Sequence, residues 1–233
     1  MRPVALACLC LGVLAACARP VARIDEPTAA PLPAGDYAEA AREGAAVFRI
    51  DPGRSLILVR VGRAGSMRKL GHDHAIASTD VQGFIALFDD IKRSRADVVF
   101  PLRNLRVDEP RHRERLGLDA GPDESDIAGT YTNMLKVLEP ELAPWARLAA
   151  RVAAGETGAT ELRVTIGLHG RERALSLPLD FERDGPRLVA RGSATLTHQA
   201  FGLEPYSAAG GLLRVADELE VRFEFIALET QSN

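Results

Sequence analysis

Cysteine is scarce in this sequence and is confined to its first 17 residues. The three cysteines are Cys8, Cys10 and Cys17. The rest of the chain can therefore form neither a disulfide nor a thiolate metal site, and we expect its stability to come from a hydrophobic core alone. It is long enough to form one domain with a full core.

An excess of basic residues is also absent. Lys and Arg total 29 against 32 Asp and Glu, so the formal net charge is -3. Because phosphate binding needs a basic face, we expect no nucleic-acid partner. The same balance predicts that membrane attachment comes from a lipid anchor and not from a polybasic patch.

Apolar runs of the length needed to cross a membrane, about 20 residues, are missing as well. A shorter run, Val4–Leu14, follows Arg2 and leads into Ala15-Ala16-Cys17. A small pair directly before a cysteine is the lipobox of exported bacterial lipoproteins, so residues 1–16 are predicted to be a signal peptide. The alternatives are an ordinary signal peptide with a chance cysteine, and a membrane anchor.

Residues 17–46 are rich in Ala, Pro and Asp, which predicts a flexible tether after a lipidated Cys17. Within it, Ala38–Ala46 has the composition of a short helix but little to hold it in place. Residue 18 is Ala and not the Asp that commonly retains lipoproteins in the inner membrane, so we expect a periplasm-facing protein anchored in the outer membrane of a bacterial envelope. The folded domain is predicted to span residues 47–230.

Most of the predicted domain alternates between apolar and polar residues, a pattern typical of half-buried strands. Turn residues such as Gly210-Gly211 separate the alternating runs. Strands are predicted at Leu56–Val61, Val81–Phe88, Ala96–Leu102, Trp145–Val152, Leu162–Leu168, Leu175–Phe181, Leu188–Leu196 and Leu219–Phe225. The pattern predicts an all-β fold with minor α content, an antiparallel barrel of about eight strands that is wide enough for one slender ligand.

One segment follows a helical period instead. Apolar residues recur at steps of three and four residues at Ile127, Tyr131, Leu135 and Leu138. Asp123 or Ser125 can cap this helix and Pro140 stops it, while Arg111–Leu116 predicts a shorter one. One or two helices inserted among strands predict a lid or plug on the barrel.

Six short motifs occur in a recognisable order: Phe48–Pro52, Val81–Phe84, Pro144–Ala150, Leu168–Gly170, Phe201–Leu203 and Ala216–Val221. Together they resemble the YceI-like family, whose founding members are periplasmic proteins that bind polyisoprenoids in a lipocalin-like barrel. The resemblance covers roughly Val47 to Leu228 and implies that fold and an apolar ligand.

Three departures from the family concern the ligand class more than the fold. Gly170-Arg171-Glu172-Arg173 replaces the usual Gly-Val-Thr-Lys turn, and His198 stands where an Arg commonly precedes the Phe-Gly element. The Arg-Asp pair that opens the family's helical insertion is not distinct here, because Glu109–Arg115 contains a mixture of acidic and basic residues.

Gly71-His72-Asp73-His74 is the sharpest local motif, and a related YceI-like subgroup carries a similar element. In a strand, His72 and His74 would point to the same face, close enough to share a metal ion. A metal site needs a third ligand, and the candidates are His112, His169 and His198. The other interpretations are a structural turn stabilised by Asp73 and contact with the head group of a ligand.

A second candidate is a run of small residues on one face of a predicted strand: Leu188, Ala190, Gly192, Ala194 and Leu196. Its small middle members leave either room for a ligand or close packing against a neighbour, and alternation alone does not decide between them. The sequence offers no nucleophile elbow, supported acid/base pair or phosphate loop, so no catalytic residue is predicted.

These features predict an envelope lipoprotein, not an enzyme, that binds a long-chain apolar ligand of the polyisoprenoid, isoprenoid quinone or fatty amide class. No cofactor is predicted other than such a bound lipid. The predicted ligand contacts are His72, His74, Leu188, Ala190, Gly192 and Ala194. The alternatives are a metal-dependent enzyme or metal-binding protein that uses His72 and His74, and a structural or interaction module whose barrel is filled by its own side chains.

Overall fold

The computed structural model describes residues 32–153, 161–178 and 180–230. The predicted signal peptide, Cys17 and the first half of the predicted tether lie outside these residues. Within them the chain is mostly antiparallel β-structure with three α-helices, which confirms the predicted fold class.

The described residues form more strands than the eight predicted. The helices are α1 (Ala34–Arg42), α2 (Pro110–Arg115) and α3 (Glu124–Leu138). The strands are β1 (Ala46–Ile50), β2 (Leu56–Ala64), β3 (His74–Ser78), β4 (Gln82–Leu87), β5 (Arg95–Pro101), β6 (Arg106–Val107), β7 (Trp145–Ala153), β8 (Glu161–Leu168), β9 (Arg171–Pro178), β10 (Asp180–Asp184), β11 (Arg187–Thr197), β12 (Ser207–Ala208) and β13 (Leu213–Glu229). Alternation missed β6 and β12 because two residues carry no period, and it missed β3 because four of its five residues are buried.

The long strand β13 organises the sheet. One edge of β13 pairs with β11, and the other pairs first with β2 and then with β1. From β1 the sheet continues through β4, β5, β7 and β8 to β9, and from β2 it continues through β3 to β6. The strands β1 and β2 are therefore two parts of one bent strand, with a turn at Pro52–Arg54 between them.

The curled sheet is not closed by hydrogen bonds. Strand β10 pairs with the first part of β11, but within the described ranges no ladder joins β9 to β11. Phe201 and Leu203, from the segment after β11, are buried against Val164 and Ile166 of β8 and Leu177 of β9. Side-chain packing therefore covers the side that backbone pairing leaves open.

A tight apolar cluster lies inside the barrel. Its buried members are Phe48, Ile50, Ile57, Val81, Val98, Leu188, Ala190, Phe225 and Ala227. All of them except Val81 lie on five strands, β1, β2, β5, β11 and β13, so they hold the two branches of the sheet together.

Helix α1 corrects the predicted tether, because its residues pack against the barrel. Tyr37 and Ala40 are buried against Val47, Ala86 and Phe88. The Tyr37 hydroxyl donates a hydrogen bond to Asp97 Oδ2 at 2.7 Å, and its ring stacks on Phe84 at 5.3 Å between centroids. The packed part of the described chain thus includes α1, which precedes the predicted boundary at residue 47, because Tyr37 supplies contacts that an alanine-rich helix otherwise lacks.

The other two helices confirm the sequence prediction. The side chain of Asp123 accepts a hydrogen bond from the backbone amide of Asp126 at 2.9 Å, which is the expected N-cap of α3. The helix ends at Leu138, and Glu139 takes a left-handed conformation before Pro140. Helix α2 occupies the segment predicted for the shorter helix.

Candidate functional site

The barrel contains a cavity of about 320 Å³. Apolar side chains line most of it, and they come from both branches of the sheet: Ile57, Val59, Val61, Ile76, Phe100, Leu102, Leu105, Ala146, Leu148, Ile166, Leu168, Leu196, Val215, Leu219 and Val221. The volume falls in the range of small-molecule sites, and an apolar lining with few polar groups is typical of them. We call this cavity the large chamber.

A second cavity of about 120 Å³, the small chamber, adjoins the first. Four residues line both: Leu148, Ile166, Leu196 and Val221. The two chambers are therefore separated by one shared ring of aliphatic side chains, and together they form an elongated apolar lumen.

The sequence left open whether the small residues of β11 border a ligand space or pack closely against a neighbour. Both outcomes occur along this strand. Leu188, Ala190 and Ala194 of β11 line the small chamber. Gly192 lines neither chamber, since a Cβ at this position would lie 2.5 Å from Cζ of the Phe223 ring. The small size of residue 192 serves close packing against Phe223, while its neighbours border open space.

Helix α3 covers the large chamber. Five of its residues line the cavity: Thr130, Asn133, Met134, Val137 and Leu138. No residue of this 15-residue helix is fully buried, so its apolar face is only half covered. The helix lies over the cavity as a lid, and Tyr131 ties it to the barrel by donating a hydrogen bond to the Arg103 carbonyl at 2.8 Å.

His72 and His74 both line the large chamber, although they are not on one strand. His74 is the first residue of β3, and His72 lies in the preceding loop and is exposed. Between them, Asp73 turns to the outside, where its carboxylate accepts a hydrogen bond from Arg60 at 2.9 Å. The motif therefore combines a structural turn with two imidazoles at the cavity wall.

His74 belongs to a buried polar network that sequence reasoning missed. Its Nδ1 lies 2.6 Å from Oδ2 of Asp108, whose side chain is fully buried. Arg113 Nη1 lies 2.6 Å from the other oxygen of Asp108 and also donates to the Asp73 carbonyl at 2.8 Å. The sequence analysis found only mixed charges at residues 109–115, whereas the structure forms a buried ion pair between Asp108 and Arg113.

The pKa of Asp108 is set by opposing effects. Burial raises it, but hydrogen bonds from His74 and the backbone amide of Ala75, together with the charge of His74 and the hydrogen bond from Arg113, hold it below its usual range. Asp108 is therefore a carboxylate acceptor, and the hydrogen on His74 Nδ1 points toward it. The opposite ring nitrogen, Nε2, has no hydrogen-bond partner among the described residues.

Of the three other histidines, His198 alone lines the large chamber. It is buried, and its Nδ1 lies 3.0 Å from the Asp217 carbonyl. His169 instead pairs with Glu139 at 2.7 Å, and His112 is buried in α2. Across the described residues no group of three His, Cys, Asp or Glu side chains is placed to hold a metal ion. The structure thus gathers three imidazoles at one cavity without forming a metal centre from them.

Most of the polar groups that border the lumen belong to the large chamber. His72, His74 and His198 lie there with Thr130 and Asn133 of the lid. The small chamber is bordered almost entirely by apolar side chains. No helix among the described residues is both long and apolar enough to cross a membrane.

Comparison with known proteins relates the chain to two solved structures. BcnA of Burkholderia cenocepacia has a TM-score of 0.52 and 13% sequence identity, over 76% of this chain and 98% of that protein. A polyisoprenoid binding domain from Saccharophagus degradans, implicated in plant cell wall breakdown, has a TM-score of 0.53 and 15% identity, over 80% of this chain and 99% of that domain. No family model and no curated protein matches the sequence. At this identity the similarity establishes the fold, which is the one shared by BcnA and the polyisoprenoid binding domain.

Proposed function

We propose that this chain is a YceI-like protein that binds a long-chain apolar molecule in its barrel. The observation that carries the proposal is the pair of adjoining apolar chambers, which share four lining residues and whose polar lining groups lie mainly in the large chamber. The shared fold with a polyisoprenoid binding domain supports the same ligand class. The motif resemblance along residues 47–228 agrees with both.

The physical basis of binding is transfer of a hydrocarbon chain out of water. Each buried methylene contributes about 0.8 kcal/mol, so a tail of roughly ten carbons binds usefully without any charged contact. The aliphatic ring of Leu148, Ile166, Leu196 and Val221 would surround the middle of such a tail. A polyprenol, an isoprenoid quinone and a fatty amide all present this kind of tail, and binding by sequestration needs no catalytic group.

The histidines that line the large chamber would select the head group. His74 Nε2 is free to meet a ligand, because Nδ1 is held by Asp108. We expect His74→Asn, which keeps a donor near the Nδ1 position, to preserve the fold and weaken binding of ligands with a polar head. Ligand displacement measures the affinity of each variant for ligands with different head groups. If His74→Asn and His72→Ala both bind every head-group class as the wild type does, this assignment is contradicted.

We further propose that the protein is a lipoprotein of the bacterial envelope, attached through Cys17 and facing the periplasm. The support is the sequence pattern of residues 1–17. Metabolic labelling with a clickable fatty acid should label the wild-type chain and not Cys17→Ser, and membrane fractionation should place the wild type in the outer membrane.

Native mass spectrometry, with organic extraction of co-purified molecules, tests the binding function directly. Ala194→Phe should fill the small chamber and reduce the bound lipid, because Ala194 lines that chamber. Ser193→Phe is the matched control, since Ser193 is exposed on the opposite face of the same strand. Wild-type protein that carries no lipid and is not stabilised by added isoprenoids would refute the proposal and favour a structural module.

A further inference from the structure

Exposed apolar side chains border the entrance of the large chamber. Four of them are between 39% and 69% exposed: Met67, Leu70, Tyr206 and Leu212. They lie on the β2–β3 loop and on the segment that leads through β12 into β13. Tyr206 lines the chamber itself, and Leu70 and Leu212 directly precede the lining residues Gly71 and Leu213. We call this region the entrance surface.

The two segments form one continuous surface because they are hydrogen-bonded to each other. The backbone amide of Met67 donates to the carbonyl of Leu212 at 2.9 Å. Gly65, at φ +92°, lets the segments approach this closely, since a Cβ there would collide with the Leu212 carbonyl. Val215 donates to the Tyr206 carbonyl at 2.9 Å, which holds the second segment against β13.

The entrance surface is positively charged although the whole chain is not. Residues 62–71 and 206–214 contain four basic side chains and no Asp or Glu: Arg63, Arg68, Lys69 and Arg214. Arg63 lies 3.5 Å from the Asp73 carboxylate. Arg68, Lys69 and Arg214 are exposed and form no ion pair among the described residues. Exposed apolar side chains interleaved with unpaired cations are typical of surfaces that sit in an anionic bilayer interface.

We propose that the entrance surface docks on an anionic phospholipid bilayer. The apolar side chains enter the interfacial region, the cations meet lipid phosphates, and the chamber opens toward the membrane. This goes beyond the expectation that membrane contact comes from the lipid anchor alone, because the basic patch is local and is not apparent in the net charge. Transfer of a lipid between bilayer and lumen rests on the proposed function, whereas docking itself does not.

Tryptophan quenching in the full lipidated chain tests this orientation. The single native tryptophan, Trp145, is replaced by Phe, and one tryptophan is introduced as Leu212→Trp or Leu228→Trp. Both leucines are similarly exposed, at 47% and 43%, and they lie at opposite ends of β13. The protein is reconstituted in vesicles of phosphatidylcholine and phosphatidylglycerol with or without brominated acyl chains, and circular dichroism checks folding.

We expect brominated chains to quench the tryptophan at position 212 and not the one at position 228. Adding Arg68→Glu, Lys69→Glu and Arg214→Glu should abolish the quenching at 212, as should vesicles of phosphatidylcholine alone. Equal quenching at both positions, or none at 212 in a folded protein, would overturn docking, and a protein partner for the surface would then be the better explanation. Should Trp145→Phe fail to fold, the quenching of the native chain is measured and subtracted.

The two proposals fail separately. Ala194→Phe should keep the quenching at position 212 while it loses lipid from the lumen. A chain that docks but never carries lipid would retain the entrance surface and refute the binding function. A chain that carries lipid but is quenched equally at positions 212 and 228 would retain the binding function and refute docking.

Discussion

Histidine shows how far a residue's role depends on its surroundings in this protein. His74 is held by the buried Asp108 carboxylate, and His198 by a backbone carbonyl. His72 is exposed at the cavity, and His169 pairs with Glu139 on the surface. The sequence allowed His72 and His74 to form a metal pair with His169 or His198 as a third ligand, but backbone and carboxylate partners give these side chains different roles.

His112 makes folding stability depend on pH. Burial, together with the charge of Arg111, lowers its pKa below the usual 6.5, and neither ring nitrogen has a hydrogen-bond partner among the described residues. Below about pH 6.5 the unfolded chain binds a proton that the folded chain resists, so stability falls as the pH drops toward the folded-state pKa. When the pH is lowered from about 7.5 to about 5, we expect the melting temperature of His112→Leu to fall less than that of the wild type.

His112→Gln separates titration from packing in that experiment. Glutamine does not titrate, so its pH dependence should match that of His112→Leu even though its stability at neutral pH differs. Melting curves followed by circular dichroism at several pH values suffice. Wild-type pH dependence in both variants would contradict the assignment.

Asp108→Asn should strongly destabilise the protein, because it leaves the buried Arg113 without its ion-pair partner. Breaking a buried pair in this way costs about 3 kcal/mol or more. Asp73→Asn is the control, since its partner Arg60 is more exposed and the loss should be about 1 kcal/mol or less. Urea unfolding measures both free energies, and equal losses would contradict the difference in burial.

The stability that Asp108 contributes is present above its unfolded pKa of about 4 and is lost as the pH falls through its lower folded-state value.

Among the elements, strand β11 was predicted correctly, whereas the sequence left open what its small residues face. Alternation placed Leu188, Ala190, Gly192 and Ala194 on one face, and the structure keeps them on one strand. The neighbouring residues come from β13, which pairs with β11 along its whole length, and from β10, which pairs with its first part. The Phe223 ring, stacked on Phe225 at 4.9 Å between centroids, fills the space beside Gly192.

Gly192→Ala should therefore destabilise the barrel by about 1 to 3 kcal/mol, the usual cost of overpacking, because the Phe223 ring must move. Gly62→Ala is the matched control, since a Cβ at residue 62 would meet Ala216 at an ordinary 3.5 Å. Chemical unfolding compares the two strand glycines. Equal tolerance at both positions would mean that the Phe223 ring is free to shift.

At the scale of the whole molecule, the lumen is divided by one ring of side chains. Val221 belongs to that ring and borders both chambers. Val221→Phe should narrow the passage, so ligands long enough to occupy both chambers should lose affinity while shorter ones keep it. Arg222→Phe is the control, because Arg222 is exposed and adjacent in β13. A series of isoprenoid alcohols of increasing length, measured by fluorescence displacement, tests this, and a uniform loss at all lengths would argue against two chambers in series.

The sequence predicted correctly those elements that are specified by residues close together in the chain. The period of β11, the Asp123 cap of α3 and the stop before Pro140 are set by neighbouring residues, and each is present in the structure. The packing of helix α1 against the barrel was not predicted, because it depends on contacts of Tyr37 with Phe84 and Asp97, which lie far along the chain. The His74–Asp108–Arg113 network was missed for the same reason.

The all-β class, the strand faces and the two inserted helices follow from the amino-acid sequence alone, because side-chain periodicity and capping act over a few residues. The two apolar chambers, the close packing of Gly192 beside the open space at Ala190 and Ala194, and the cations at the entrance that form no ion pair among the described residues depend on the folded chain. Empty volume and surface charge arise between residues distant in the chain, and no local pattern specifies the distance between them.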